Sequence, residues 1–214
     1  MSQTHDISKL KKEIERLRKL VYFDELTGVL NRRGFKEEAE KIFQLVFPSN
    51  ANGHHRKAVS MPFCILFMDL DNFKRVNDTF GHDVGDEALK AMSKALDDTL
   101  RENDIIGRWG GEEFIVALYG VRVKTAQKIA ERVRLAIEKI NINVGGKRVP
   151  VTTSIGLASH SKEKDMFELI QNADMAMYQA KHKGKNRVVA FSQRVNSQSW
   201  LSERAKGLKD WFKL

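Results

Sequence analysis

The first apolar residues of the chain follow a heptad-like pattern. Leu10, Ile14, Leu17 and Val21 are separated by steps of four, three and four residues, and Lys, Arg and Glu fill most of the positions between them. This spacing predicts an α-helix with one narrow apolar stripe. A narrow stripe suits a partner helix better than a domain core, so we expect residues 1–23 to form a coiled-coil stalk. Packing of this amphipathic helix on its own domain is the alternative.

From residue 24 to residue 191, short apolar runs alternate with segments of helical periodicity. Helices are predicted at residues 33–47, 86–100, 123–140 and 166–181. Strands are predicted at residues 63–70, 105–108, 114–119, 149–158 and 187–191. The Gly110–Gly111 pair separates two of these strands and indicates a β-hairpin. Alternating strands and helices with one hairpin predict an α/β domain, a mixed central β-sheet covered by helices.

Two segments fall outside this alternation. Residues 48–57 are polar, aperiodic and rich in breakers of regular structure, which indicates an exposed loop. His54 and His55 have no nearby acid or cysteine partner, so we expect solvated side chains and not a metal site. Residues 192–214 are expected to form an amphipathic helical tail packed on the domain, although their aromatic and basic side chains also permit contact with a surface or a partner.

Composition narrows the class of protein. A chain of 214 residues with 42% hydrophobic residues can bury one core. The formal net charge of +9 is concentrated at the two ends, because six Lys and Arg against three acids precede residue 24 and five against two follow residue 191. Nucleic-acid binders usually gather basic and aromatic residues on one surface, so this spread argues against a nucleic-acid partner.

Membrane and disulfide classes are also disfavoured. No apolar stretch approaches the roughly 18 to 20 residues that a bilayer span needs, and the N-terminus lacks the apolar core of a signal peptide. We therefore expect a cytoplasmic protein. The single cysteine, Cys64, lies within an apolar run and is predicted to be a buried strand residue, not a nucleophile, a metal ligand or half of a disulfide.

The candidate chemistry begins with carboxylates beside two predicted strands. Asp69 ends the most apolar run, where a charged group is costly unless a cation or hydrogen bonds compensate it. Glu112 and Glu113 follow the two hairpin glycines, which let the backbone approach a bulky ligand. If the strands are neighbours, Asp69 and Glu112 converge, and two carboxylates with a backbone carbonyl commonly hold Mg²⁺ over a nucleotide. For the hairpin alone, a glycine turn with exposed acids is the alternative.

Several motifs in a fixed order resemble those of GGDEF domains, the diguanylate cyclases, in the variant with glutamate at the third signature position. The resemblance covers residues 22–191 and implies a GGDEF catalytic domain over 24–191, with a fold like the palm of nucleotidyl cyclases and polymerases. Its motifs are Asp24-x-Leu26-Thr27-Gly28-x-x-Asn31-Arg32, Asp69-Leu70-Asp71-Asn72-Phe73-Lys74-x-x-Asn77-Asp78-x-Phe80-Gly81-His82-x-x-Gly85-Asp86, Gly107-Arg108-x-Gly110-Gly111-Glu112-Glu113-Phe114, Ser154-Ile155-Gly156, Asp174-x-Ala176-x-Tyr178-x-Ala180-Lys181 and Gly184-Lys185-Asn186-Arg187.

The resemblance implies a metal site and catalytic acids at the strand end and the hairpin. Asp69, Glu112 and the Leu70 carbonyl match the positions that hold Mg²⁺, with Mn²⁺ as an alternative. Glu112 and Glu113 match the signature acids that support the attacking ribose 3′-hydroxyl. Metal activation and general-base catalysis both stay open as their roles.

The same resemblance implies GTP as the substrate. Asn77 and Asp86 match the guanine-reading positions, and a carboxylate accepts hydrogen bonds from guanine N1–H and the 2-amino group, a donor pair that adenine lacks. The other matches to nucleotide-binding positions are Phe73, Lys74, Gly110, Gly111, Lys181 and Lys185. Lys185 stands where relatives often have arginine, and lysine keeps the positive charge but lacks the bidentate fork of the guanidinium.

The implied reaction condenses two GTP molecules into cyclic di-GMP and two pyrophosphates. One domain holds one GTP, so two copies must face each other, and a stalk that forms a homodimer raises their effective concentration. The resemblance also implies that the product cyclic di-GMP inhibits the enzyme at Arg101 and Asp104, aided by Arg132 from the following helix.

Two alternatives belong to other functional classes. One is a domain of the same fold that has lost turnover and binds cyclic di-GMP or GTP as a receptor. The other is a purely structural dimerisation unit. The complete set of charged site residues argues against both, because neither role needs all of them.

Overall fold

The computed structural model describes residues 2–47, 61–161 and 165–192. His54, His55 and the predicted tail from residue 193 onward lie outside these described residues. The elements in chain order are α1 (Ser2–Tyr22), β1 (Leu30–Asn31), α2 (Arg32–Val46), β2 (Phe63–Leu70), α3 (Phe73–Phe80), α4 (His82–Thr99), β3 (Ile105–Gly110), β4 (Glu113–Tyr119), α5 (Val123–Glu138), β5 (Ile142–Val144), β6 (Lys147–Val149), β7 (Thr153–Ser159), α6 (Met166–His182) and β8 (Val188–Ala190).

Six of the strands form one mixed sheet in the order β1-β3-β4-β2-β7-β8. Strand β2 lies in the interior, antiparallel to β4 on one side and to β7 on the other. Strands β3 and β4 form the predicted hairpin, and the two edge strands, β1 and β8, pair in parallel with their neighbours. The sheet and its helical cover confirm the predicted fold class.

Strand β2 is buried along its whole length because helices cover both of its faces. On one face, Leu66 and Met68 pack with residues of α4 and α5. On the other face, Ile65 and Phe67 pack with residues of α2 and α6. A strand covered on both sides reads as an unbroken apolar run, which is why its limits could be predicted. Cys64 is buried in this strand as predicted, and burial raises the pKa of its thiol.

The structure differs from the prediction at three places. The strand predicted at 149–158 is wrong at its start, because Val149 belongs to the β5–β6 hairpin and β7 begins at Thr153. Gly145 and Gly146 make that hairpin with φ values of 57° and 79°, a conformation that few other residues adopt. The helix predicted from residue 86 begins at His82, and the short helix α3 before it was not predicted. Glycines lie at these element boundaries, in segments where apolar and polar residues are mixed. Hydrophobic periodicity does not indicate where such a glycine ends one element and begins the next.

Helix α1 leaves its apolar stripe exposed. The exposed fractions of Ile7, Leu10, Ile14 and Leu17 are 52%, 63%, 52% and 50%. These residues extend the predicted heptad spacing by one position, and none of them belongs to either core of the described part of the chain. None of the helices in the described ranges is long and apolar enough to cross a membrane.

Candidate active site

The candidate site forms where strand β2 ends beside the tip of the β3–β4 hairpin. Asp69 pairs in register with Glu113, and the Leu70 amide donates a hydrogen bond of 3.3 Å to the Glu112 carbonyl oxygen. The predicted neighbourhood of the two strands is therefore confirmed. Antiparallel pairing brings both hairpin acids to the level of the carboxylate that ends β2.

The Asp69 carboxylate is buried, with 3% of the residue exposed. Its Oδ2 lies 2.6 Å from Nζ of Lys181, and its Oδ1 has no hydrogen-bond partner among the described residues. Burial raises the pKa of Asp69 to about 6, because desolvation and the nearby Glu112 and Glu113 outweigh the attraction of Lys181. An ionised carboxylate held at this cost is a site prepared for a cation.

The donor set fits a hard divalent cation. The Leu70 carbonyl, Asp69 and Glu112 supply only oxygen atoms, the ligands that Mg²⁺ and Mn²⁺ prefer. Within the ranges that the structure describes, no three His, Cys, Asp or Glu side chains gather to hold a metal. A Mg²⁺ ion commonly keeps water and substrate phosphates in its remaining positions, so two carboxylates are enough for a nucleotide-dependent site. The unpartnered Oδ1 of Asp69 is the structural sign that fits this use.

Asn77 packs against Gly85, the residue that precedes Asp86, across the junction of α3 and α4. A Cβ added to Gly85 would lie 1.9 Å from Oδ1 of Asn77, so the absence of a side chain there admits the amide beside Asp86. The ring of Phe73 lies against the same glycine. Oδ1 of Asn77 is buried and has no hydrogen-bond partner in the described part of the chain, while Asp86 is exposed. The structure thus brings the Asn77 side chain to the residue next to Asp86, and it leaves Asp86 exposed.

The predicted phosphate-binding lysines border the end of β2 from two sides. Lys74 is exposed in the first turn of α3. Lys181 lies near the end of α6, where it contacts Asp69, and Lys185 follows that helix. The Lys185 ammonium donates a hydrogen bond to the Asn72 side chain, which places it beside the turn between β2 and α3. The hairpin glycines Gly110 and Gly111 are both exposed.

The three residues predicted for product binding lie around the turn that follows α4. The Arg101 amide donates to Oδ2 of Asp104 at 3.0 Å, and the Asp104 amide donates to the Arg101 carbonyl at 2.9 Å. Arg132 on α5 donates to the Thr99 carbonyl at 2.7 Å, beside the same turn. The Arg101 side chain is exposed, so this surface presents guanidinium groups from two elements.

An ion pair that was not predicted joins the segment just after helix α1 to the hairpin tip. Nη1 of Arg108 lies 3.0 Å from Asp24, and Nε and Nη2 of Arg108 donate to the Gly111 carbonyl at 2.9 and 2.7 Å. Burial alone would raise the pKa of Asp24, yet hydrogen bonds from Thr27 and Arg108 lower it below its ordinary value. The two residues stand 84 positions apart, so only a three-dimensional arrangement could pair them.

Arg32 is a second residue without a predicted role. Its guanidinium lies 4.2 Å from the centre of the Trp109 ring, a cation–π arrangement next to the hairpin tip. Burial lowers the pKa of Arg32, and the nearby Glu113 opposes this effect. Arg32 therefore supplies positive charge next to the second signature acid. Its place within a recognised motif is the only sequence signal that could have indicated it.

Comparison with known proteins places these features in a family context. The family model "Diguanylate cyclase, GGDEF domain" matches residues 21–187. Diguanylate cyclase DgcM of Escherichia coli is 37% identical over 186 residues, which cover 87% of this chain and 42% of DgcM. The chain thus spans less than half the length of curated relatives such as DgcM.

Two solved structures share the fold. The coiled coil and GGDEF domain of DgcB from Caulobacter crescentus, in complex with c-di-GMP, has a TM-score of 0.76 and 22% identity, covering 88% of this chain and 95% of that one. The active GGEEF domain of a diguanylate cyclase from Vibrio cholerae has a TM-score of 0.66 and 30% identity, covering 76% of this chain and 97% of that one.

Proposed function

The chain belongs to the GGDEF-domain family of diguanylate cyclases, and we propose that it condenses two GTP molecules into cyclic di-GMP and two pyrophosphates as a Mg²⁺-dependent homodimer. The observation that carries the proposal is the meeting of Asp69, Glu112 and Glu113 at the end of β2, where one oxygen of Asp69 has no hydrogen-bond partner among the described residues. An inactive receptor would have no need of a buried, destabilised carboxylate at this point.

The guanine-reading pair favours GTP over ATP. Asp86 accepts hydrogen bonds from N1–H and the 2-amino group of guanine, and the packing of Asn77 against the neighbouring Gly85 supports a role for its amide at the same base. A site built around a carboxylate acceptor rejects adenine, because the carboxylate would then lose its donors. Lys74, exposed at the start of α3, attracts the triphosphate.

The carboxylates orient and activate the attacking 3′-hydroxyl. Glu113 lies opposite Asp69 and close to Arg32, so its carboxylate is held at the hairpin tip with positive charge behind it. It accepts a hydrogen bond from the 3′-hydroxyl and, in the general-base route, its proton. Mg²⁺ or Mn²⁺, held by Asp69, Glu112 and the Leu70 carbonyl, would neutralise charge on the phosphates. Lys181 pairs with Asp69 in the structure, and its ammonium would be free to contact the same phosphates if Asp69 held a cation instead.

Dimerisation and feedback complete the proposal. The exposed stripe of α1, from Ile7 to Val21, pairs with the same helix of a second copy and brings two half-sites together. The product binds at Arg101, Asp104 and Arg132, where guanidinium groups meet guanine and phosphate while the carboxylate meets the guanine edge.

The decisive experiment incubates the purified chain with GTP and Mg²⁺ and measures cyclic di-GMP and pyrophosphate by chromatography. We expect both products in a ratio of one to two, and none with ATP. Glu112→Gln keeps the shape of the site but removes a charge, and this variant should bind nucleotide without turnover. A dimeric wild-type chain that binds GTP and forms no product would refute the enzyme and support the receptor.

A further inference from the structure

The carboxylate of Asp71 lies two residues beyond Asp69 and is also buried. Its hydrogen-bond partners are entirely different from those of Asp69. Only 5% of Asp71 is exposed, and both of its oxygens accept hydrogen bonds. The Ser154 hydroxyl donates to Oδ1 at 2.6 Å. The Thr152 hydroxyl and the Asn186 amide donate to Oδ2 at 2.8 and 2.9 Å. Three donors from two distant segments leave Asp71 no reason to hold a metal, so its charge serves another purpose.

The segment that Asp71 holds has an uncommon backbone. Gly184, Lys185 and Asn186 have successive φ values of 107°, 62° and 44° after the end of α6. Among the described residues, only one other non-glycine residue has a positive φ. It is Asn72, at 58°, which directly follows Asp71. Residues other than glycine rarely adopt this conformation, and it persists where the surrounding bonds enforce it. All such positions in the described ranges therefore adjoin one carboxylate.

Helix α5 supports the same loop from the opposite side. The Asn186 side chain accepts a hydrogen bond of 2.7 Å from Arg134 and donates one of 2.6 Å to Glu138. The Asn186 backbone amide is thereby aimed at Asp71, and the preceding residue, Lys185, reaches across to the Asn72 side chain. The position of the Lys185 ammonium beside the end of β2 thus depends on bonds at the next residue.

We propose that Asp71 is a positioning residue that fixes the loop Gly184–Asn186 so that the Lys185 ammonium faces the triphosphate subsite. This inference rests on the proposed GTP turnover. A lysine side chain is flexible, and a fixed backbone reduces the entropy that it loses when it binds a phosphate. Without the carboxylate, the loop relaxes to ordinary φ values and carries Lys185 away, whereas Asp69, Glu112 and Glu113 keep their places. The loss therefore falls on nucleotide binding.

Steady-state kinetics of Asp71→Ala and Asp71→Asn test the inference. Asparagine can accept from the Asn186 amide and the Thr152 hydroxyl through its oxygen and donate to the Ser154 hydroxyl, which is also an acceptor. We expect Asp71→Ala to raise KM for GTP about tenfold with kcat changed less than about threefold, and Asp71→Asn to stay within about threefold of wild type. If Asp71→Asn abolishes turnover, as expected when a metal ligand or a general base is replaced, the proposal is wrong.

A double-mutant cycle tests whether Asp71 acts through Lys185. Lys185→Ala alone should raise KM, and adding Asp71→Ala should raise it no further, because the residue that the carboxylate positions is already gone. Effects on KM that multiply would overturn the proposal. Lys183→Ala, an exposed lysine two positions earlier, is the matched control and should leave KM unchanged.

Binding of the α,β-methylene analogue of GTP, measured by calorimetry with Mg²⁺, separates this inference from the proposed function. If the wild type binds the analogue but makes no cyclic di-GMP from GTP, the proposed enzymatic activity is refuted. The positioning role still predicts that the wild type and Asp71→Asn bind the analogue more tightly than Asp71→Ala does. Equal affinities would refute that role. If Asp71→Ala does not fold, Asn186→Ala replaces it, because this change removes the bonds to Arg134 and Glu138. It should raise KM and lose that effect in the Lys185→Ala background, and an unchanged KM would contradict the inference.

Discussion

Replacement of Asp69 by asparagine should stabilise the metal-free protein while abolishing turnover. The physical reason is the cost of the buried charge. The pKa of Asp69 rises from 3.8 to about 6, so the fold favours the neutral carboxyl. Asparagine has nearly the shape of the neutral form at every pH. It cannot bind a cation as a carboxylate does, and the variant therefore exchanges function for stability.

The magnitude follows from the difference between the two pKa values. A folded-state pKa above the unfolded value means that stability is fully present below about pH 3.8 and is lost as the pH rises through about 6. At pH 7.5 the ionised carboxylate costs about 3 kcal/mol, and at pH 5 about half of that. The Lys181 side chain is 28% exposed and can reach solvent when its partner is neutral, so it adds little to the cost. For a domain of this size, Tm should rise by about 5–10 °C at pH 7.5.

Thermal unfolding followed by circular dichroism in EDTA measures this effect. The gap in Tm between Asp69→Asn and wild type should be largest at pH 7.5 and roughly halved at pH 5. Asp98→Asn is the matched control, because the Asp98 side chain is 61% exposed and pairs only with Lys94 at the surface. Its Tm should change by less than about 2 °C. A lower Tm for Asp69→Asn, or a gap that does not narrow at pH 5, would refute the reasoning.

Four further substitutions test other parts of the molecule. Lys181→Met should tighten Mg²⁺ binding in the absence of nucleotide, because the competing ammonium is gone, yet raise KM for GTP; calorimetry showing weaker Mg²⁺ binding would contradict this. Gly156→Ala should lose about 3 kcal/mol or more in denaturant unfolding, since its Cβ would lie 2.0 Å from the Ala173 carbonyl oxygen, and an unchanged midpoint would count against the close packing. Leu17→Glu should give a monomer in light scattering and sharply reduced turnover, and an active monomer would exclude the stalk model. Arg101→Ala should weaken product binding and relieve product inhibition without changing initial rates, and inhibition equal to wild type would remove this site from consideration.

Much of the fold could be predicted because the buried strands are unbroken apolar runs. Strand β2 matches its predicted limits, and its antiparallel pairing with β4 brings Asp69 to the hairpin as expected. Prediction failed where glycine geometry decides the chain path, as at Gly145, and where short amphipathic turns such as α3 follow a strand. Hydrophobic periodicity carries no signal for a left-handed turn.

The parts of the site that escaped prediction are polar bonds between residues far apart in the chain. Asp71 could be recognised as part of a motif, but nothing in the sequence pairs it with the amide of Asn186, 115 positions away. The Asp24–Arg108 pair is hidden for the same reason. A buried carboxylate needs hydrogen-bond donors, but the sequence does not indicate which residues provide them.

Polar bonds of Asn31 and Arg108 also connect the end of α1 to α2 and to the hairpin tip. Asn31 donates to the Val21 carbonyl at the end of α1 and accepts from the Gly34 amide at the start of α2, so one side chain closes both helix ends. Arg108 is shared between Asp24, just after α1, and the Gly111 carbonyl at the hairpin tip. Nε and Nη2 of Arg108 both donate to the Gly111 carbonyl while Nη1 donates to Asp24, and such directional bonds fix the guanidinium relative to both groups. If the chain dimerises through α1 as proposed, we expect a change in the angle between the two α1 helices to reach the hairpin tip through Arg108, because this residue bonds to both Asp24 and Gly111.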